Sequence, residues 1–242
     1  MTSAAVALHA VSAGYGRDPD VIRDFTLTAH AGEVVTLIGP NGAGKSTALR
    51  AAVGLHAVIR AGSVRVNGED LHAPTPHRAL RKGMVIVPQG RCNFPRLTVK
   101  ESLEVATYAL RDRSRVEAID ALRSRFSFID EWHDVRVGQL SGGQQQAVEI
   151  ALSTMSGPSV LLVDEPSLGL SPGMQRWVLR LIRELAEAGT AVVMVEQNVT
   201  AAVQISDRFV VMDQGRIVME GSANDVYHDP KIRSVYLGGR VE

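Results

Sequence analysis

Cysteine is nearly absent from this chain of 242 residues: Cys92 stands alone, which excludes an internal disulfide framework and a cysteine-based zinc site. Net charge is absent too. Lys plus Arg total 26 and Asp plus Glu total 26, so no basic field exists to hold a polyanion unaided, and nucleic-acid binding is disfavoured. No stretch reaches the roughly 18–20 apolar residues that span a bilayer, and the opening "MTSAAVALHA" has no basic segment followed by a long apolar run. A soluble protein of a reducing compartment is expected, one able to sit on a membrane protein. Internal repeats, low-complexity tracts and flexible linkers are also missing. What is present is 45% hydrophobic content over a length that closes one large α/β domain or two small ones.

The order of patterns is strand-rich, then helical, then alternating. "AAVALHAVSAGYG" and "VIRDFTLTAHAGE" read as strands parted by the turn-like "GRDPD". "EVVTLIG" is a short continuous apolar run, suited to a strand buried on both faces, and "KSTALRAAVGL" after it is helical with Gly54 placed to end it. "GSVRVNGEDL" reads as a hairpin pair around Asn67-Gly68, followed by a short helix through "PHRALRKG" and a buried strand "MVIVP". From Thr98 to Phe128 apolar residues recur at helical spacing with charges between, which marks a helical insert. "VLLVDE", "GTAVVMVE" and the hairpin "DRFVVMDQGRIVMEG" return to strands, and "PGMQRWVLRLIRELAEAG" is an amphipathic helix between the first two.

Chemistry concentrates at three places. "GPNGAGKST" fits G-x-x-x-x-G-K-[ST] and follows a buried strand at the start of a helix, where backbone N–H groups and the helix terminus hold phosphates. Its candidate nucleotide-binding residues are Gly39, Asn41, Gly42, Ala43, Gly44, Lys45, Ser46 and Thr47. Lys45 would reach the β and γ phosphates, and Ser46 a Mg²⁺ ion. "VLLVDEP" puts Asp164 and Glu165 at the carboxyl end of a second buried strand, where two carboxylates can divide the work: Asp164 for the metal, Glu165 for orienting the attacking water. "LSGGQQQAVEIAL" sets Ser141 as an N-cap before Gly142, Gly143 and Gln144, a second anion-binding helix terminus. One phosphate group needs only one such cradle.

The order of phosphate loop, Gln89, LSGGQ and then Asp-Glu resembles the ATP-binding subunits of ABC (ATP-binding cassette) transporters over essentially the whole chain. The resemblance implies an α/β fold: a P-loop NTPase core of mainly parallel sheet with an antiparallel β subdomain and a helical lobe. It implies one ABC ATPase domain over 1–242, with 1–89 and 158–242 as the nucleotide-binding core and 90–157 as the lobe carrying the signature. In that family two subunits meet head to tail, each ATP lying between the phosphate loop of one and the LSGGQ of the other, which accounts for the spare cradle. Tyr15 matches the aromatic that stacks on adenine. A Gly-flanked Tyr is poorly placed to be buried. Gln89 in "VPQG" matches the residue that reaches Mg²⁺ and the water and links core to lobe. Gln197 in "VVMVEQNV" falls where most cassettes carry a histidine that contacts the γ phosphate. A neutral amide there cannot become a cation, which costs roughly 1 kcal/mol in the transition state, nearly tenfold in rate.

Within the family, "VPQGR", "DEPSLGLSP", "VEQN" and "RSVYLGG" look like the shorter ATPase of branched-chain amino-acid uptake systems, and urea- or amide-type importers share most of these words. Leu170 stands where many cassettes carry an aspartate, and "EIALSTM" lacks an arginine often found after LSGGQ, so cross-subunit signalling through that loop is in doubt. Cys92, the seven histidines and Trp132 read as structural or solvent-facing.

The expectation is a peripheral ATPase on the cytoplasmic face of a membrane, with ATP and Mg²⁺ as cofactors and transmembrane permease subunits plus a second cassette as partners. Three rivals stay open. A soluble cassette acting on nucleic acid or cofactor assembly commonly shows fused cassettes or basic arms, which this chain lacks. A small-molecule kinase or GTPase leaves LSGGQ unexplained. The third is a cassette that binds ATP but barely hydrolyses it.

Overall fold

The structure, a computed structural model, describes residues 4–90, 94–110 and 115–232. Cys92, the "RSVYLGG" segment and residues 111–114 of the helical insert lie outside them. Two sheets carry the architecture. The first strands are β1 (Val6–Gly14), β2 (Ile22–Ala29) and β3 (Val34–Ile38), followed by helix α1 (Lys45–Val53). Next come β4 (Val58–Val66), β5 (Glu69–Asp70), α2 (Pro76–Arg81) and β6 (Met84–Val87). The smaller sheet is antiparallel in the order β2-β1-β4-β5, and the hairpin expected at Asn67-Gly68 is the β4–β5 connection.

The helical insert forms α3 (Val99–Ala106), α4 (Arg115–Arg125), α5 (Phe128–Glu131) and α6 (Gly142–Ser153). Thr98 starts α3 with a reciprocal cap: its hydroxyl accepts from Glu101 N at 3.1 Å, and Glu101 Oε2 accepts from Thr98 N at 2.7 Å. After the insert the chain alternates again through β7 (Val160–Asp164), α7 (Pro172–Glu187), β8 (Ala191–Val195), α8 (Val199–Ala202), β9 (Arg208–Asp213), β10 (Arg216–Ser222) and α9 (Ala223–His228). The larger sheet runs β10-β9-β3-β8-β7-β6, parallel except for β10.

Burial follows the apolar pattern. Every residue of β3, β7 and β8 is buried, as a continuous apolar run demands of a strand covered on both faces. Alternate side chains of these strands serve different cores: Leu161, Val163, Val192 and Met194 join the cluster under α6, α7 and the insert, while Leu162, Val193 and Val195 join the one under α1 and the antiparallel sheet. Trp132 is structural, as expected: it stacks on Phe128 at 4.9 Å, and Trp177 of α7 meets Phe128 edge-on at 5.4 Å. Each such pair contributes about 0.5–1.5 kcal/mol beyond its buried area. Leu170, where the sequence lacks an aspartate, is partly buried and packs against the same cluster. Among the described residues, no helix is long and apolar enough to cross a membrane.

Candidate active site

The parallel strands β3, β8, β7 and β6 are neighbours, so their carboxyl ends share one edge of the sheet. That edge gathers Gly39 after β3, Asp164 and Glu165 at the end of β7, Gln197 after β8 and Gln89 after β6. A chain order of 39, 89, 164 and 197 becomes one site because β8 lies between β3 and β7.

The phosphate loop is shaped by steric necessity. Gly39 has φ 149°, and a β-carbon there would lie 2.1 Å from the Met212 carbonyl oxygen on β9. Lys45, at the start of α1 and only 5% exposed, folds back over the loop and donates to the Gly39 and Pro40 carbonyls at 2.8 and 3.0 Å. Burial pushes its ammonium below the ordinary lysine value, and the nearby Glu165 and Asp164 carboxylates pull partly the other way. Ser46 Oγ donates to Asp164 Oδ1 at 2.7 Å, and Arg50 approaches Asp164 Oδ2 at 3.4 Å. Asp164 is buried, which raises its carboxyl despite those two donors. A cavity of about 250 Å³ is lined by Tyr15, Asn41 to Thr47, Arg50, Gln89 and Glu165 among others.

Tyr15 lies at the wall of this cavity. Its ring is half-buried against the apolar cluster beneath α1, and its hydroxyl lies 3.1 Å from Thr47 Oγ1, so it faces the cavity from a packed position rather than a free one.

Glu165 is held from both sides. Gln89 Nε2 donates to its Oε2 at 2.8 Å and Gln197 Nε2 to its Oε1 at 2.6 Å. Its backbone has φ 52°, an uncommon left-handed setting for a side-chain-bearing residue, fixed by Glu165 N donating to Val195 O and Leu168 N donating to Glu165 O. Gln89 and Gln197, assigned from sequence to metal, water and γ phosphate, therefore both rest on this carboxylate.

The second cradle stands apart. Ser141 caps α6, accepting from Gln144 N at 3.4 Å while Gln144 Oε1 accepts from Ser141 N at 2.8 Å. Among the described residues, Ser141, Gly142, Gly143 and Gln144 do not line the cavity at the phosphate loop.

A family model described as "ABC transporter" matches residues 22–168. The chain belongs to the ABC transporter ATPases. It binds and hydrolyses ATP, as the family does. This ABC ATPase is 38% identical over 229 residues to the high-affinity branched-chain amino acid transport ATP-binding protein BraG of Pseudomonas aeruginosa, covering 95% of this chain and 97% of that one. It is 32% identical over 223 residues to the lipopolysaccharide export system ATP-binding protein LptB of Escherichia coli K12, covering 90% and 91%. Among solved structures, an ATP-binding subunit of an ABC transporter superposes with TM-score 0.78 at 28% identity, covering 96% of each chain. An ATP-binding cassette in its ADP conformation reaches TM-score 0.85 at 24% identity, covering 98% of this chain and 100% of that one, which supports the fold.

Sequence reasoning missed three residues at this site. Arg50, one turn along α1 from Ser46, pairs with the same Asp164 carboxylate. Glu196 is 2% exposed and accepts from Ser167 Oγ at 2.8 Å; its position in a polar triplet after an apolar strand was the available signal. Burial raises its carboxyl, against hydrogen bonds from Asn198, Ser167 and Gln197. Ser167 itself carried no signal beyond lying two residues after Glu165.

Proposed function

We propose that this ABC ATPase powers an importer of branched-chain amino acids, working as one of two cassettes beneath a pair of permease subunits on the cytoplasmic face of the membrane. The likeness to BraG over nearly the whole chain carries the choice of solute. Glu165, held at the cavity edge by two amide donors, carries the choice of reaction.

In this reading the backbone N–H groups from Gly39 to Thr47 and the α1 terminus hold the phosphates of ATP, and Lys45 exchanges its two loop carbonyls for phosphate oxygens. Tyr15 stacks on the adenine. The Ser46 hydroxyl and Asp164 carboxylate, 2.7 Å apart, are hard oxygen donors of the kind Mg²⁺ takes. Ser46 and Asp164 would hold Mg²⁺, which would supply charge neutralisation at the phosphate oxygens. Glu165 releases one of its amide donors, accepts a hydrogen bond from water and aims it at the γ phosphate. The freed amide of Gln197 or Gln89 stays beside the reacting group as a neutral donor. The second cassette supplies Ser141, Gly142, Gly143 and Gln144 across a head-to-tail interface, and the lobe from 90 to 157 turns with Gln89 as its hinge.

Likeness to LptB favours one other reading, an export-type partner. Reconstituting the chain with its co-encoded membrane subunits and a solute-binding protein in liposomes separates the two. ATP-dependent accumulation of labelled leucine supports import. ATP hydrolysis that no branched-chain amino acid stimulates removes the solute assignment while leaving the ATPase intact.

A further inference from the structure

We propose that Glu196 is a positioning residue that bolts together the two backbone segments meeting at Glu165, and so sets where Gln197 stands against the reacting carboxylate. The inference rests on the reading of Glu165 and Gln197 as parts of the hydrolytic site.

The geometry is a three-way clamp. Glu196 Oε1 accepts from the Ser167 hydroxyl at 2.8 Å and from the backbone N–H groups of Gln197 and Asn198, each at 3.1 Å. Ser167 lies in the turn that Glu165 opens, and Gln197 bears the amide that touches Glu165. One oxygen thus ties residues on both flanks of the Glu165–Gln197 contact. A second chain of bonds runs parallel: Asn198 Nδ2 donates to Gln175 Oε1 at 3.0 Å, and Gln175 Nε2 donates to the Ser167 and Leu170 carbonyls at 3.3 and 3.2 Å. The turn after β7 and the end of β8 are therefore tied by two separate sets of hydrogen bonds.

A carboxylate is a costly way to make such a bolt. Glu196 is 2% exposed, and its Oε2 has no hydrogen-bond partner among the described residues. A neutral hydroxyl could reach the same N–H groups without leaving an oxygen bare. The longer side chain does what a hydroxyl does not: from the end of β8 it reaches across to Ser167 while still capturing its own backbone. Buried polar groups that leave an atom unsatisfied beside a reacting group are the ones expected to hold geometry for chemistry.

The test is a double-mutant cycle on turnover. Glu196→Ala should lower kcat about tenfold, the scale of a misplaced reacting group, while ATP affinity measured by titration stays within about twofold. Glu196→Gln keeps the accepting oxygen and should recover most of that loss. In a Gln197→Ala background, Glu196→Ala should add little, because the group it positions is gone. If Glu196→Ala fails to fold, Ser167→Ala replaces it in the same cycle. An equal cost of the Glu196 or Ser167 change in both backgrounds, or no cost in either, overturns the proposal. Glu165→Gln measured alongside keeps the two ideas apart: wild-type turnover there would instead overturn the reading of the hydrolytic site.

Discussion

Gln197 Nε2 donates to Glu165 Oε1 across 2.6 Å, and the two residues stand 32 positions apart in the chain. Their meeting depends on β7 and β8 lying side by side with Asp164 opposite Val195, so that Glu165, one residue past β7, and Gln197, two residues past β8, leave the sheet at the same edge. A carboxylate only accepts hydrogen bonds, so the Gln197 amide must present its nitrogen, as must that of Gln89 on the other oxygen. This pair of donors holds the Glu165 carboxylate in one orientation.

Glu165→Gln should preserve ATP affinity and lower turnover by about 100-fold or more, the range by which a positioned base accelerates proton transfer. The substitution also sets amide against amide at Gln89 and Gln197, which disturbs the carboxylate's two contacts and leaves the Lys45 hydrogen bonds to the loop in place. Steady-state hydrolysis with nucleotide titration measures both. Turnover at the wild-type rate would remove Glu165 from the chemistry.

Lys45→Ala should weaken nucleotide binding itself. Its ammonium is buried and already satisfied by the Gly39 and Pro40 carbonyls, so it waits as a preformed donor. A charged donor contributes about 1.5–3 kcal/mol, and each ~1.4 kcal/mol is tenfold in affinity, so a loss of roughly 10- to 100-fold is expected. Calorimetric titration with ATP and Mg²⁺ checks it; unchanged affinity would mean the cradle lies elsewhere.

The local parts of this site could be read directly from sequence. Gly39 to Thr47 lie contiguously between a buried strand and a helix, Ser141 caps its own helix, and Asp164-Glu165 end an apolar run, so each needs only neighbours in the chain. What escaped depends on strand order. Period-two alternation tells which face of β7 a residue takes but not that β8 inserts between β3 and β7, and without that insertion nothing joins Ser167 to Glu196 or both amides to Glu165. Arg50 escaped for another reason: a basic residue in the last turn of a helix reads as solvent-facing until its carboxylate partner is placed.

Stability should depend on pH through Glu196. Burial raises its folded-state carboxyl above the ordinary value of 4.5, so the folded protein holds that proton more tightly than the unfolded chain. Its stabilising contribution is full below the unfolded value and is lost as pH climbs through the raised folded value. Glu196→Gln cannot ionise and should match the wild type near about pH 4, where the native acid is neutral as well. It should then become the more stable of the two as pH rises towards about 8. Melting curves of both proteins across that range test the sign. A wild type that gains on the variant with rising pH would mean that Glu196 is stabilised as an anion.

Turnover should depend on Gln197, because it is the donor whose chemistry differs from a histidine. Its amide touches Glu165 and, once released, offers the γ phosphate a neutral N–H; a protonated imidazole at the same place would add charge assistance worth roughly 1 kcal/mol more, nearly tenfold in rate. Gln197→His should therefore raise turnover of the isolated subunit by up to about tenfold, provided the ring keeps one nitrogen towards Glu165. Gln197→Ala should lower it, since Glu165 then keeps only the Gln89 donor. The wild-type subunit should be slow alone and faster beside a second cassette that carries a histidine at this place. Single-turnover hydrolysis by the three proteins, alone and mixed with that second cassette, measures each part. A Gln197→Ala rate equal to wild type would show that the contact at the end of β8 is a resting arrangement with no share in the reaction, and that the slow step lies with Lys45, Glu165 or the closing of the two cassettes.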